Sequence, residues 1–190
     1  MKLFAILFCL LTSVFSHAKR DIYPFEKVAG LSDLIVVGFI EEVDLNTYTF
    51  KITETLKGDV HASIRVEKFV ETEFDIRYAS HEKGQKLCLF LKKGLLSWSI
   101  INGSTGERPI LDQTIYLGID GNYKLPLTEF SKVIHKFNDI YDPKVEVTAY
   151  NERVSFIQKC SDEELRNFKS EGKFSHWLCN QINPELTSQE

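Results

Sequence analysis

The side chains of this chain that could do chemistry are scattered, and each has a plain alternative reading. A serine nucleophile of the elbow type needs Gly-x-Ser-x-Gly, a strained turn that lifts the hydroxyl clear of a sheet. The nearest approach is Gly103-Ser104-Thr105-Gly106, whose spacing is wrong and which reads as a glycine-rich turn between strands. Asn102-Gly103-Ser104 also matches an N-glycosylation acceptor, relevant in a eukaryotic host. His61, His81, His135 and His176 stand alone in sequence, and His81-Glu82 lacks the second histidine of a zinc-binding helix. Each reads as a surface or packing histidine. Glu71, Glu73 and Asp75 offer the oxygen ligands that calcium takes, yet in so polar a stretch they read as a solvated acidic loop. Asp120-Gly121-Asn122 likewise reads as a hairpin turn. Cys88 has Lys86 on the same face of its strand, the cationic neighbour a reactive thiolate needs. Between Leu87 and Leu89 it reads instead as an inert, buried thiol. No catalytic residue, no metal ligand and no cofactor is therefore assigned.

The N-terminus says where the protein goes. Lys2, the apolar run Leu3–Phe15 and the small residues of Ser16-His17-Ala18 are the three parts of a secretory signal peptide. The run is short against the ~20 residues that span a bilayer. Phe8 precedes Cys9 where a lipoprotein signal needs a small residue. Cleavage is expected near Ala18, leaving a secreted or periplasmic chain that starts at Lys19 and has no later membrane span. Lys2 is the only charged residue of the first eighteen, so the 23 basic and 27 acidic residues become 22 and 27, a net charge near −5. That balance argues against nucleic acid, whose phosphates are met by clustered Lys and Arg, and against anionic membranes. Outside the cytosol cysteines are free to pair. Cys160 and Cys179 bracket a compact segment, and a disulfide between them is expected, worth ~3 kcal/mol by loop closure. Cys88 is left free, with pairing between chains as the minor alternative.

The elements that must position these residues fall into two halves. With 43% hydrophobic and 26% charged residues, 190 residues are enough for one solid core, or for a core and an extension. Lys19–Leu31 is a connector whose Ile22, Tyr23 and Phe25 pack on the first sheet. Leu34–Val43 is rich in β-branched residues and reads as a strand, with Gly38 as a bulge. Across the turn Asp44–Asn46, Tyr48, Phe50 and Ile52 alternate with Thr49, Lys51 and Thr53 in a half-buried strand. Ile64 and Val66 mark a third strand, Gly84–Leu91 a fourth, and Leu96, Trp98 and Ile100 a fifth. Between them lie the loops Phe69–Glu82 and Asn102–Arg108. Gln113–Leu117 and Asn122–Leu125 bracket Asp120-Gly121 as a hairpin. After Pro126 the apolar spacing becomes helical, predicting a helix over Thr128–Tyr141 with Thr128 as N-cap, set over the open end of the barrel. A second helix is expected up to Lys159. A third opens on the capping box Ser161-Asp162-Glu163-Glu164 and ends at Gly172. The fold class is mainly β with C-terminal α: a five- to six-stranded OB-like barrel over residues 19–125, then two or three helices over 126–190 packed on it.

The run Ser32–Gly38, then Tyr48-Thr49-Phe50-Lys51-Ile52 leading to Leu56-Lys57-Gly58, resembles exported OB-fold modules of the netrin-like type. These are similar to the inhibitory domain of the tissue inhibitors of metalloproteinases. Gly84–Leu91 followed by Trp98-Ser99-Ile100 looks like the strand pair that follows in that group, so the resemblance covers about Leu31–Leu125. Inhibitors of that group chelate the enzyme's zinc with an N-terminal Cys-x-Cys. Here the expected mature start is Lys19-Arg20-Asp21, and that mechanism transfers to no residue.

The architecture points to an exported, non-enzymatic binding or interaction module. OB barrels bind through a sheet face and its adjacent loops. The expected contact surface is therefore the two loops, with Glu71, Glu73, Asp75, His81, Asn102 and Arg108 as its polar members, facing an unknown protein or extracellular ligand. Two alternatives are a secreted hydrolase or redox enzyme with a site dispersed across loops, and an adaptor subunit of an envelope or extracellular complex.

Overall fold

Leu34–Val43 is apolar almost without a break because both of its faces are covered. In the computed structural model, which describes residues 22–60, 62–73, 75–117, 123–147 and 152–182, this segment is β1. It pairs antiparallel with β2 (Thr47–Lys57) on one side and β4 (Lys86–Lys93) on the other. β2 pairs with β3 (Ile64–Glu67), which runs parallel to β5 (Trp98–Ile100), and β5 returns antiparallel to β4. The order β1-β2-β3-β5-β4 thus closes on β1 as a five-stranded OB-like barrel. Three further strands, β6 (Glu107–Leu111), β7 (Thr114–Tyr116) and β8 (Lys124–Pro126), extend the sheet from β4 as a meander. The start of β6 falls within the stretch expected as the loop Asn102–Arg108. Asp120-Gly121, the expected hairpin tip, lies outside the described residues, as do the signal segment, His61 and the C-terminal tail.

Strand alternation sorts the apolar residues into two cores. Leu34, Val36 and Ile40 of β1, Tyr48 and Phe50 of β2, and Leu87, Leu89 and Leu91 of β4 fill the barrel interior, with Phe69 from the following loop. Ile35, Val37, Cys88 and Phe90 point outward into a second core. Helix α1 (Phe25–Leu31) and α2 (Leu127–Ile140) close that core, together with α3 (Asp162–Ser170) and α4 (Lys173–Gln181). The C-terminal elements thus cover the barrel's outer wall, not its open end. Phe130, Val133, Ile134 and Phe137 of α2 form the buried stripe that the helical spacing predicts.

Gly38 is where β1 bends. The pairing register shifts between Val37 and Gly38, and a Cβ there would stand 2.0 Å from the Lys51 carbonyl oxygen.

Several expectations are corrected. The segment read as a second helix is a hairpin of β9 (Tyr141–Val147) and β10 (Glu152–Gln158). Val147, Val154 and Ile157 do recur near helical spacing. However, the pairing partner β9 lets Val154 and Phe156 turn into the outer core while Ile157 stays exposed. Gly30 of α1 makes room for them: a Cβ there would meet the Phe156 ring at 2.8 Å. Helix α2 begins one residue before Thr128, and its N-cap is Pro126 with no side-chain capping bond. The capping box at Ser161 is present, with the Glu164 amide donating to Ser161 Oγ and the Ser161 amide donating to Glu164 Oε2. Gly172 stands between two helices, serving as N-cap of the unanticipated α4.

The expected disulfide is also corrected: Cys160 and Cys179 are both free thiols. Cys179 is buried on α4, where its sulfur takes the Tyr141 hydroxyl as hydrogen-bond partner. Cys160 is held ahead of the Ser161 cap by Gln158 Nε2, which donates to its carbonyl at 3.0 Å.

Two lysines from the barrel finish α1. Lys57 Nζ, at the end of β2, donates to the carbonyls of Ala29 at 3.1 Å and Gly30 at 3.2 Å. Lys92 Nζ donates to Leu31 at 3.1 Å. They satisfy carbonyls that a helix end otherwise leaves unpaired. Burial lowers Lys57 from its ordinary 10.5 to about 8, partly offset by the Asp33 carboxylate. Lys57→Met is expected to cost about 1–3 kcal/mol near neutral pH by orphaning those carbonyls. Between pH 8 and 10.5 the unfolded chain keeps a proton on Lys57 that the folded chain has lost. Its contribution therefore makes stability rise with pH across that window. Urea melts at pH 7.5 and 9.5 should show the gap between wild type and variant widening; a constant gap counts against a desolvated lysine.

Candidate functional site

The connection from β3 to β4 carries no helix among its described residues, and it closes one end of the barrel with polar side chains. It is anchored at its start by the Lys68 amide donating to the Asn46 carbonyl at 2.9 Å, and at its end by the Gly84 amide donating to Ile40 at 2.8 Å. Between these anchors, the ring of Phe69 enters the barrel core. Arg77 folds back over that ring at 4.7 Å and donates through Nη2 to the Phe69 carbonyl at 2.8 Å. Its backbone amide donates to Glu71 Oε1 at 2.9 Å, and its Nε lies 3.6 Å from the same oxygen.

The centre of this arrangement is His81. Arg77 Nη1 lies 3.0 Å from Nδ1, and Glu107 Oε2 lies 2.8 Å from Nε2. A guanidinium has only donors, so Nδ1 must accept, which places the imidazole proton on Nε2 and directs it at the Glu107 carboxylate. The same Glu107 oxygen accepts from the Tyr48 hydroxyl at 3.3 Å, and the Tyr48 and His81 rings pack 4.5 Å apart. The His81 and Glu107 side chains are only 1% and 5% exposed. Burial, then the charge and hydrogen bond of Glu107, push the Tyr48 hydroxyl well above its ordinary range. The result is a dry chain of donors and acceptors running Arg77, His81, Glu107, Tyr48, with every ring nitrogen of His81 occupied.

A second contact lies beside it. Asp75 is buried, and its Oδ1 accepts from the Ser104 amide at 2.9 Å. Gly103 has φ +59, and a Cβ at that position would stand 1.8 Å from Asp75 Oδ2, so only glycine allows the carboxylate this close. Asn102 is left-handed at φ 53 and its Oδ1 accepts from the Tyr23 amide at 2.8 Å. Arg108 is buried on β6 opposite Cys88. Burial lowers its guanidinium to about 10, a fall offset by Cys88 and Asp75, so it stays charged near neutral pH. Burial pushes the Cys88 thiol upward despite Arg108. Cys88 therefore lacks the thiolate character a nucleophile needs.

Of the residues expected from sequence, Asp75, His81, Asn102 and Arg108 come together where the two loops meet, and Glu71 joins them through Arg77. Their placement differs from the expectation: Asp75, Asn102 and Arg108 are buried, not presented on a loop surface, and Arg108 sits in a strand. Glu71 and Glu73 are exposed. The acidic residues do not converge on a cation. Glu71 is committed to Arg77 and Asp75 to the Ser104 amide, and among the described residues no three metal-ligating side chains gather. Sequence reasoning missed Tyr48, Arg77 and Glu107. Tyr48 carried a signal, since a tyrosine in the inward phase of a strand needs a partner for its hydroxyl.

A depression of about 480 Å³ opens over the network, lined by Lys68, Glu71, Ile76, Arg77 and His81 among others. The same loop shows solvent three large apolar side chains, Val70 at 79%, Ile76 at 66% and Tyr78 at 58% exposure. Fold and site together define a closed OB-like barrel, walled on one side by helices and plugged at one end by a polar-latched loop. No protein-family model matches the chain, and no curated protein matches it either.

Proposed function

We propose that this protein is a non-enzymatic, exported binding module that meets a protein or extracellular ligand through the 69–82 loop. One observation carries this reading. The loop is locked to the barrel by His81–Glu107 and Asp75–Ser104, yet it turns Val70, Ile76 and Tyr78 to solvent. A rigid backbone presenting apolar side chains is what a recognition surface needs. Beneath it, both ring nitrogens of His81 are engaged, by Arg77 and by Glu107. The N-terminal pattern supports export, and the closed strand order fits an OB-like barrel.

The test uses the full chain as secreted by its host. N-terminal sequencing is expected to start at Lys19. No turnover is expected against hydrolase and thiol-redox substrate panels; turnover that disappears in His81→Ala would sink the reading. A binding partner recovered from the extracellular fraction should be retained by wild type and lost by the folded triple variant Val70→Ser, Ile76→Ser, Tyr78→Ser. Equal retention by both overturns the assignment of the surface.

A further inference from the structure

We propose that the β9–β10 hairpin is a self-association edge: β10 adds antiparallel to β10 of a second copy of this chain, about a two-fold axis at Ser155. This surface is separate from the 69–82 loop, and the inference holds whatever that loop binds.

The backbone decides which groups are on offer. The hairpin is a two-stranded sheet, and among the described residues no third strand lies along either side of it. The Lys159 amide donates to the Ile140 carbonyl at 2.8 Å, which fixes the phase of the ladder that runs from Gln158 opposite Tyr141 to Arg153 opposite Glu146. Bonded and non-bonded positions alternate along an antiparallel pair. Ile157, Ser155 and Arg153 are therefore the positions bonded to β9, while the amides and carbonyls of Val154, Phe156 and Gln158 point away from it. On β9 the outward positions are Tyr141, Pro143 and Val145. A proline has no amide to give, and it guards an edge against strand addition. One edge of the hairpin is thus blocked, and the other carries its donors and acceptors without a break.

The side chains select the occupant. Val154 and Phe156 lie on the face packed over Gly30 of α1, and Arg153, Ser155 and Ile157 lie on the other, with Arg153 and Ile157 exposed. With the axis at Ser155, the strand pairs with its copy over its whole length. Val154 then stands beside Phe156 of the second copy, which continues the outer core across the axis. Ile157, 56% exposed in the single chain, stands beside Arg153 of the second copy, whose aliphatic stem can cover it. Ser155, the smallest side chain of that face, meets its own copy. Moving the axis to Phe156 would set Arg153 against Lys159 of the second copy, two cations side by side. Moving it to Val154 would leave Ile157 and Gln158 beyond the end of the partner strand. Charge and length both select Ser155. The resulting four-stranded sheet ends on two proline-guarded edges, so addition stops at a closed pair.

The experiment is sedimentation velocity of the full chain over a wide range of concentration. A monomer–dimer equilibrium is expected, with the dimer prevailing at the highest concentrations. Val154→Pro removes an outward amide and no bond of the hairpin, so a dimer at least tenfold weaker is expected, with an unchanged circular dichroism spectrum. The register is read by thiol trapping with oxidised glutathione in a Cys160→Ser background, in which the remaining Cys88 and Cys179 are buried. Ser155→Cys sets two thiols across the axis within reach of a disulfide. It should give at least tenfold more covalent dimer than Arg153→Cys, which faces Ile157 of the second copy. A chain that stays monomeric at every concentration overturns the proposal, whatever else the edge binds, as does a dimer that Val154→Pro leaves intact. Should that variant not fold, equal trapping of Ser155→Cys and Arg153→Cys overturns it equally.

Discussion

Glu107→Ala is expected to destabilise the protein by about 2–6 kcal/mol, since it orphans two buried donors at about 1–3 kcal/mol each. The substitution leaves the His81 Nε2–H and the Tyr48 hydroxyl without an acceptor. None of these groups can turn to water, because the His81 side chain is 1% exposed and Tyr48 is fully buried. Glu107→Gln keeps a carbonyl oxygen for one of the two donors and is expected to cost less, about 1–3 kcal/mol. Tyr48→Phe removes only the longer bond, at 3.3 Å, and is expected to cost about 1 kcal/mol. Tyr48→Phe combined with Glu107→Ala should be non-additive, since the hydroxyl has no acceptor left to lose. Urea unfolding of the four proteins checks the order. A Glu107→Ala variant as stable as wild type would show that the barrel end is not held by this network.

Gly38→Ala is expected to be severely destabilising. Its Cβ would fall 2.0 Å from the Lys51 carbonyl oxygen and 2.8 Å from the Phe50 ring. Neither neighbour can retreat, since Lys51 and Phe50 belong to the strand paired with this bend and Phe50 is fully buried in the barrel. Relief requires opening the β1–β2 ladder at the bulge. The cost is expected to exceed ~4 kcal/mol, the exceptional class for a point substitution. Gly84→Ala is the control. Its φ is +85 but no atom lies within 4 Å of the added carbon, so backbone strain alone, about 1–2 kcal/mol, is expected. Circular dichroism melts of both variants separate a steric requirement from a conformational one. Equal effects at the two glycines would show that the close approach in the barrel bend is not the reason glycine stands there.

The barrel was legible because its strands obey local rules. Tyr48, Phe50 and Ile52 alternate with polar neighbours, and Gly38 interrupts an apolar run where the register shifts. The capping box at Ser161 and the stripe of α2 are local for the same reason: each involves residues three or four apart. The hairpin of β9 and β10 was not legible. Its apolar spacing fits a helix, and what decides it is the partner strand and the space above Gly30.

The polar network around His81 shows the same division more sharply. Sequence alone marked His81, Asp75, Asn102 and Arg108 as polar residues of two loops. It placed an OB-like barrel around them through periodicity and turn chemistry. Only the tertiary structure decided that they face inward, because the partners that satisfy them are distant along the chain. Glu107 reaches His81, Ser104 reaches Asp75, and Tyr48 reaches Glu107 across half the barrel. A buried polar side chain is tolerated only where its partner arrives from elsewhere, and that arrival is a property of barrel closure that no local pattern encodes.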